Sequence, residues 1–518
     1  MLFNSYVFIF AYLPIVFVIF YLLGKRSHRL AASWLGLASL FFYGWWDVRF
    51  VPLLIGSILA NYTFGVALST NYSERARKTI FVIAVASNLG LLAVMKYTNF
   101  FILTVNDILQ PLNAGPIPIL ELVLPLGISF FTFTQIAFLV DTYRSQTYER
   151  NFIHYLLFVS YFPHLIAGPI IHHKQMMPQF SKDSTYSMSY DNIAIGITIF
   201  TIGLFKKVIF ADGIATYANG IFNAVAGGSD PTFIEAWGGA IAYTLQLYFD
   251  FSGYCDMAIG LSLFFNIRLP INFNSPYKSS SIIEFWRRWH MTLSAFLRDY
   301  LYIPLGGNRY GKLNRYRNLM VTMLLGGLWH GAGWTFVLWG GLHGLYIVIN
   351  NEWKRITSRD STKLLPKQMA KILGIFVTFL AVVVAWVPFR SESLWTSIKF
   401  YYGMLGFNGI SFPASWETVL KGLVPSKWVT FSGAFPMIHS NSDELGVWLL
   451  VGLVIVFTFP NAQQIAGRLG FDLDREHSNE EGRSVTWRRA AMAFVTGALL
   501  YVSFISLGKP SPFLYFQF

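Results

Sequence analysis

Membrane-length stretches without a formal charge limit this chain more than any other feature. Met1 to Gly24 carries no charged side chain, and uncharged runs follow at Ala31 to Trp46, Phe50 to Ser73, Thr79 to Met95, Leu122 to Val140, Asn151 to His173, Ile372 to Phe389, Leu445 to Pro460 and Ala490 to Gly508. Most approach the ~20 residues a helix needs to cross ~30 Å of hydrocarbon. Lipid satisfies no backbone hydrogen bond, so each segment must satisfy its own, which predicts an all-α polytopic membrane protein with about ten to twelve spans. Composition agrees: only 13% of the 518 residues are charged and 54% are hydrophobic, where a soluble domain carries roughly a quarter charged residues. A lone cysteine, Cys255, excludes an internal disulfide scaffold and a Cys-rich zinc site. No Walker phosphate loop, Gly-x-Ser-x-Gly elbow or dinucleotide fingerprint in a strand–helix context is present, so ATP-driven transport has no support.

Lys and Arg number 39 against 26 Asp and Glu, a formal charge of +13. Such a balance can mark nucleic-acid binding, but here the cations sit in short loops between apolar runs, which points to the bilayer surface and no nucleic acid. The first basic cluster, Lys25 to Arg29, follows the first apolar run, whereas a secretory signal has its positive charge in front. Lys and Arg of short loops stay cytoplasmic. Lys25 to Arg29, Glu74 to Lys78 and the basic Glu352 to Lys371 segment then face the cytoplasm, while the amino terminus, Ser391 to Glu444 and the tail Lys509 to Phe518 are expected outside. No repeat or linker divides the chain. The expected organisation is one membrane domain: amino-terminal helices over 1–110, a core over 116–351, and carboxy-terminal helices over 352–518.

The most polar membrane-adjacent region is Asn266 to Arg317, with nine Lys or Arg against Glu284 and Asp299. Within it Ser281 to His290 (SIIEFWRRWH) predicts an amphipathic interfacial helix, opened by a serine with a glutamate three residues later. Glu284 can pair with Arg288 at i,i+4. Arg287, Arg288 and Trp289 could receive an anionic donor such as a nucleotide thioester. Composition alone favours a basic anchor with tryptophan at headgroup depth.

Asn318 to Asn351 follows, 34 residues without formal charge holding His330 and His343. One helix of that length would measure ~51 Å, too long for the bilayer core. The cluster Gly326, Gly327, Gly331 and Gly333 predicts a break beside His330. Two helices meeting there put its imidazole at membrane depth, deeper than His290, and able to act as a general base on a hydroxyl. Spacing alone leaves a core histidine bonded between helices equally open, and favours packing for His343 among Trp339, Leu342 and Leu345. Asp250 and Asp256 are costly at depth and are expected as counter-charges for nearby arginines, a role in a polar tunnel staying open. His164, His172 and His173 around Gly168-Pro169 could line a vestibule, and no metal-ligand spacing joins them, so no metal site is expected.

At these residues the chain resembles the membrane-bound O-acyltransferase family, of the alginate O-acetyltransferase type. The matching blocks are Leu124 to Phe131 (LPLGISFF), Phe162 to Pro169 (FPHLIAGP), Tyr248 to Gly260, Glu284 to Tyr302 and Leu324 to Ala332 (LLGGLWHGA). The resemblance implies a ring of tilted helices around a central tunnel. It places the family's active-site histidine on His330 and the second on His290, with Trp329, Asp250 and Asp256 alongside the basic cluster near the donor. It further implies acetyl transfer across a bacterial inner membrane from a cytoplasmic thioester, acetyl-CoA being the expected donor substrate with no bound cofactor. The partner would be a periplasmic SGNH-like acetyltransferase or another acyl-acceptor protein, and the product an O-acetylated exopolysaccharide. D-alanyl transfer, peptidoglycan acylation and a non-catalytic polymer channel are the alternatives.

The tail Phe513 to Phe518 (FLYFQF) is too short to span and is similar to aromatic carboxy-terminal motifs of related cell-envelope acylation systems. Were it to fold into the core, the Tyr515 phenol, more easily ionised than an aliphatic alcohol, could accept the acyl group. A hydrophobic interfacial anchor accounts for the same residues equally well.

Overall fold

The computed structural model describes residues 1–70, 72–113, 115–144, 151–357, 366–420, 428–437, 442–468, 486–508 and 513–514. The protein is all-α, as the uncharged runs require. Its one sheet among the described residues pairs Ile410–Ser411 with Val429–Thr430 in parallel. It is a multi-pass membrane protein. Among the described residues, four helical stretches are long and apolar enough to cross a bilayer unaided, Val48–Ser69, Glu74–Leu112, Tyr190–Ala226 and Lys367–Arg390, and a bent pair, Glu444–Thr458 with Ala462–Arg468, makes a fifth if it is one span. Other runs form shorter helices. Leu122 to Val140 yields Ile128–Tyr143, and Asn151 to His173 yields only Phe152–Ser160 before the chain turns irregular and buried through Ile171. Irregular backbone of that kind is tolerated in a membrane protein where protein surrounds it. Tyr190–Ala226 is a span that the search for uncharged runs passes over, because Lys206, Lys207 and Asp212 lie inside it.

The chain forms two compact units. One comprises Met1–Leu204, Tyr254–Asn272 and Ala462–Phe518. Its helices are joined by small residues and by polar side chains that bond one another, the two devices available where lipid competes with packing. Gly196 and Gly260 illustrate the first: a Cβ on either would lie 2.7 or 2.6 Å from the other's carbonyl oxygen, so the two helices touch backbone to backbone. The second device is the reciprocal amide pair of Asn61 and Asn88, whose two bonds measure 3.1 and 2.6 Å. Gln135 extends it, donating to Ser57 Oγ at 2.9 Å and accepting from the Tyr155 hydroxyl at 3.3 Å. Phe513 and Leu514, the described part of the tail, are buried here, with the Phe513 ring edge-on to Tyr254 at 4.7 Å.

The other unit comprises Phe205–Gly253 and Phe273–Asn461. Its centre is an antiparallel hairpin of two helices, Gly311–His330 and Trp334–Thr357. The break falls at Gly331 to Gly333, where the glycine cluster predicts it. Gly327 and Gly340 hold the pair together, since a Cβ at the first would meet the Phe336 carbonyl oxygen at 2.2 Å and one at the second the Met323 carbonyl oxygen at 2.3 Å. Lys367–Arg390 packs beside the second helix and brings Trp386 and Phe389 to the turn end of the hairpin.

Candidate active site

His330 is the last residue of its helix, and the Gly331 N–H closes the turn on the Gly327 carbonyl at 3.3 Å. Terminating the helix here exposes a side chain on the inner face of the hairpin, where three aromatic rings stand edge-on to the imidazole: Trp329 at 5.0 Å, Trp339 at 5.0 Å and Phe389 at 5.3 Å. Behind them Trp386 stacks on Trp339 at 5.7 Å and contacts Trp289 at 5.0 Å. The His290 ring is 6.2 Å from that of His330. Sequence reading sets His290 toward the cytoplasm and His330 deeper; the structure makes them neighbours, each almost wholly buried.

His290 reaches this position through an unusual backbone. Its φ of 44° and ψ of 53° are left-handed, uncommon for any residue with a Cβ. The predicted interfacial helix over Ser281 to His290 is accordingly two pieces. Ile282–Trp286 ends in a turn, His290 reverses the direction, and Met291–Leu297 starts afresh. The left-handed residue lies between the two pieces, with Trp289 and His290 buried and Arg287 exposed. The predicted caps are present in shifted form: Ser281 Oγ accepts from the Glu284 N–H at 3.3 Å, and Glu284 Oε2 accepts from the N–H and hydroxyl of Ser280, both at 2.8 Å. The Glu284–Arg288 ion pair forms at 2.8 Å. Partial burial pushes the Glu284 carboxyl upward, but the Ser280 bonds and Arg288 together hold it below its ordinary value.

Of the remaining sequence candidates, Arg287 is exposed and Arg288 half-buried, whereas Trp289 and Trp329 are core aromatics rather than residues at headgroup level. Trp289 stacks on Phe285 at 5.6 Å. His343 is packed, as expected, between Trp286 at 5.1 Å and Trp339 at 4.8 Å. Its two nitrogens and both of those indole N–H groups find no hydrogen-bond partner among the described residues.

Asp250 and Asp256 part company. They sit on one helix, Phe233–Phe264, but Asp250 belongs to the same unit as the histidines and Asp256 to the other. Each has a polar partner besides the arginines expected from the sequence. Asp250 takes Lys207 Nζ at 2.8 Å, and Lys207 reaches Asp212 at 2.8 Å as well. Asp256 accepts from Gln463 Nε2 at 3.4 Å. Lys207 was legible as a buried cation to be matched, since two lysines interrupt an otherwise apolar stretch beside an aspartate. Tyr515 lies outside the described residues.

Two buried imidazoles 6.2 Å apart thus stand within one aromatic-walled layer of an all-α membrane protein. The model of the membrane-bound O-acyltransferase (MBOAT) family matches residues 40–386. The chain is 45% identical over 438 residues to the peptidoglycan O-acetyltransferase of Helicobacter pylori, covering 79% of this chain and 81% of that protein. It is 43% identical over 409 residues to a probable alginate O-acetylase of Pseudomonas putida, with the same coverage, and 37% identical over the full length of both chains to one of Pseudomonas syringae. The chain belongs to the membrane-bound O-acyltransferase family and is an O-acyltransferase.

Proposed function

We propose that this protein is a bacterial inner-membrane O-acetyltransferase that takes acetyl from a cytoplasmic thioester, acetyl-CoA in the first instance, and delivers it across the membrane for O-acetylation of an alginate-type exopolysaccharide. The pairing of buried His330 and His290 at 6.2 Å carries the reading. An imidazole of His330 takes the proton of the attacking hydroxyl as its oxygen bonds to the thioester carbonyl carbon. The C–S bond then breaks and the departing sulfur takes a proton back, leaving the ester. Positioned proton transfer of this kind contributes roughly 10²–10⁴-fold in rate. His290 holds the second position, and the Arg287, Arg288 and Lys278 cluster offers cations for the donor's phosphates. Trp289, Trp329 and Asp250 shape and balance the surroundings of that centre.

Tyr515 is the proposed acyl relay, with a periplasmic SGNH-like transferase as onward acceptor. Burial of Phe513 against Tyr254 supports a tail anchored in the protein rather than in lipid. The amino and carboxy termini are then both periplasmic. The Helicobacter relative favours peptidoglycan as the second polymer to test. Replacing His330 with Ala decides between enzyme and channel: polymer is secreted but unacetylated if the reading is right, and loss of secretion itself would sink it.

A further inference from the structure

Outside the histidine pair, the most concentrated set of metal-binding side chains is Asp141, His172 and His173, whose donor atoms all lie within 4.8 Å of one another. We propose that these three residues hold a divalent transition-metal cation, zinc by preference, as a structural site in the unit that contains Met1–Leu204. No spacing rule reveals it, because the carboxylate comes from the Ile128–Tyr143 helix and the two imidazoles from the start of a four-residue helix, His173–Met176, at the end of the irregular segment.

One separation in the cluster is already at ligand spacing, beside a second at hydrogen-bond distance that would open on binding. Bonds of ~2.1 Å at tetrahedral angles separate ligand atoms by about 3.4 Å. His173 Nδ1 stands 3.4 Å from Asp141 Oδ2, beyond the 2.7–3.2 Å of an ordinary N–H···O bond. His172 Nε2 is at 2.7 Å from the same oxygen and needs only a small rotation to open to ligand spacing. The extended backbone of His172, φ −87° and ψ 133°, followed at once by a helical turn, lets neighbouring residues aim at one point, and their rings lie 4.7 Å apart at 32°. Phe138 and Phe158 stand edge-on to His173 at 5.8 and 6.4 Å and fix its ring. Asp141 and His173 are 3% exposed while His172 is 33% exposed, so the cluster is buried except on the side of His172. One carboxylate and two neutral imidazoles suit a borderline cation rather than calcium or magnesium, which prefer all-oxygen shells. Such a cation would pin the irregular 161–172 segment to the Ile128–Tyr143 helix.

The test uses full-length protein purified in detergent with a tag free of histidine, stripped with chelator, loaded with zinc chloride and passed through gel filtration. About one equivalent of zinc should remain by plasma mass spectrometry, and cobalt in its place should give the intense visible bands of a four-coordinate centre. Zinc should also raise the thermal transition. An outer-shell change costs roughly 10–100-fold in metal affinity, and loss of a ligand should cost at least that, so His172→Ala and Asp141→Asn should retain less than about a tenth of the wild-type metal. Should either fail to fold, the cobalt spectrum of the wild type still decides. Folded wild type that keeps no zinc and shows no cobalt bands overturns the site, as does equal retention by the folded variants.

Discussion

Replacing Lys207 by Met tests whether the buried charge cluster is a closed electrostatic unit. The ammonium is 2% exposed and lies 2.8 Å from carboxylate oxygens of both Asp250, equally buried, and Asp212, which is 28% exposed. Methionine keeps the length of the stem and deletes the charge. Asp250 then loses its buried counter-ion, and removing one partner of such a pair costs about 3–5 kcal/mol. Asp212 can turn toward solvent and adds little. Asp250→Asn leaves Lys207 with Asp212 as partner, so its single cost should be smaller. In the double variant the Asp250 carboxylate is gone as well, and the combined loss should fall short of the sum by about 1–3 kcal/mol, the range for residues in one ionic network. The assay is reversible denaturation in mixed micelles for wild type, both singles and the double. Losses that add to within about 0.5 kcal/mol would refute the reasoning, because they would mean the three side chains do not act together.

Left-handed backbone at His290 separates strain from chemistry: His290→Gly should be more stable than His290→Ala by about 1 kcal/mol in thermal unfolding, since only the first relieves the Cβ clash, while both lose acetylation by roughly 10²-fold or more. Equal stability of the two would remove strain as a factor. Gly340→Val drives a branched side chain into the Met323 carbonyl and should cost about 3 kcal/mol or more, with acetylation falling because His330 moves with its helix; an unshifted transition temperature would contradict the contact. Tyr515→Phe keeps an aromatic at the tail and removes the hydroxyl, so acetylated polymer should vanish while the protein accumulates normally, and unchanged acetylation would discard the relay.

Periodicity and charge were enough to read the all-helical membrane character, the break beside His330 and the Glu284–Arg288 pair, because each follows from a local rule acting within a few residues. What escaped depends on contacts far apart in the chain. Nothing local requires His290 to adopt a positive φ, which falls between Ile282–Trp286 and Met291–Leu297. Lys207 is a partner of Asp250, a pairing made by the approach of two helices. Lys206, Lys207 and Asp212 also hid the Tyr190–Ala226 span from a search for uncharged runs, although Lys207 is neutralised inside the fold. Likewise, His172 and His173 offered no ligand spacing until Asp141 was brought beside them.

Because Gly327 meets a carbonyl of the opposite helix and Gly340 does the same in return, neither rod can slide or tilt without pushing main chain against main chain. The pair behaves as a single stiff plate with His330 mounted on its rim. If His330 acts as proposed, access to its imidazole depends on the swing of the indole and phenyl groups around it, and substitutions that thin those rings should change which acyl chains react while leaving the plate itself intact.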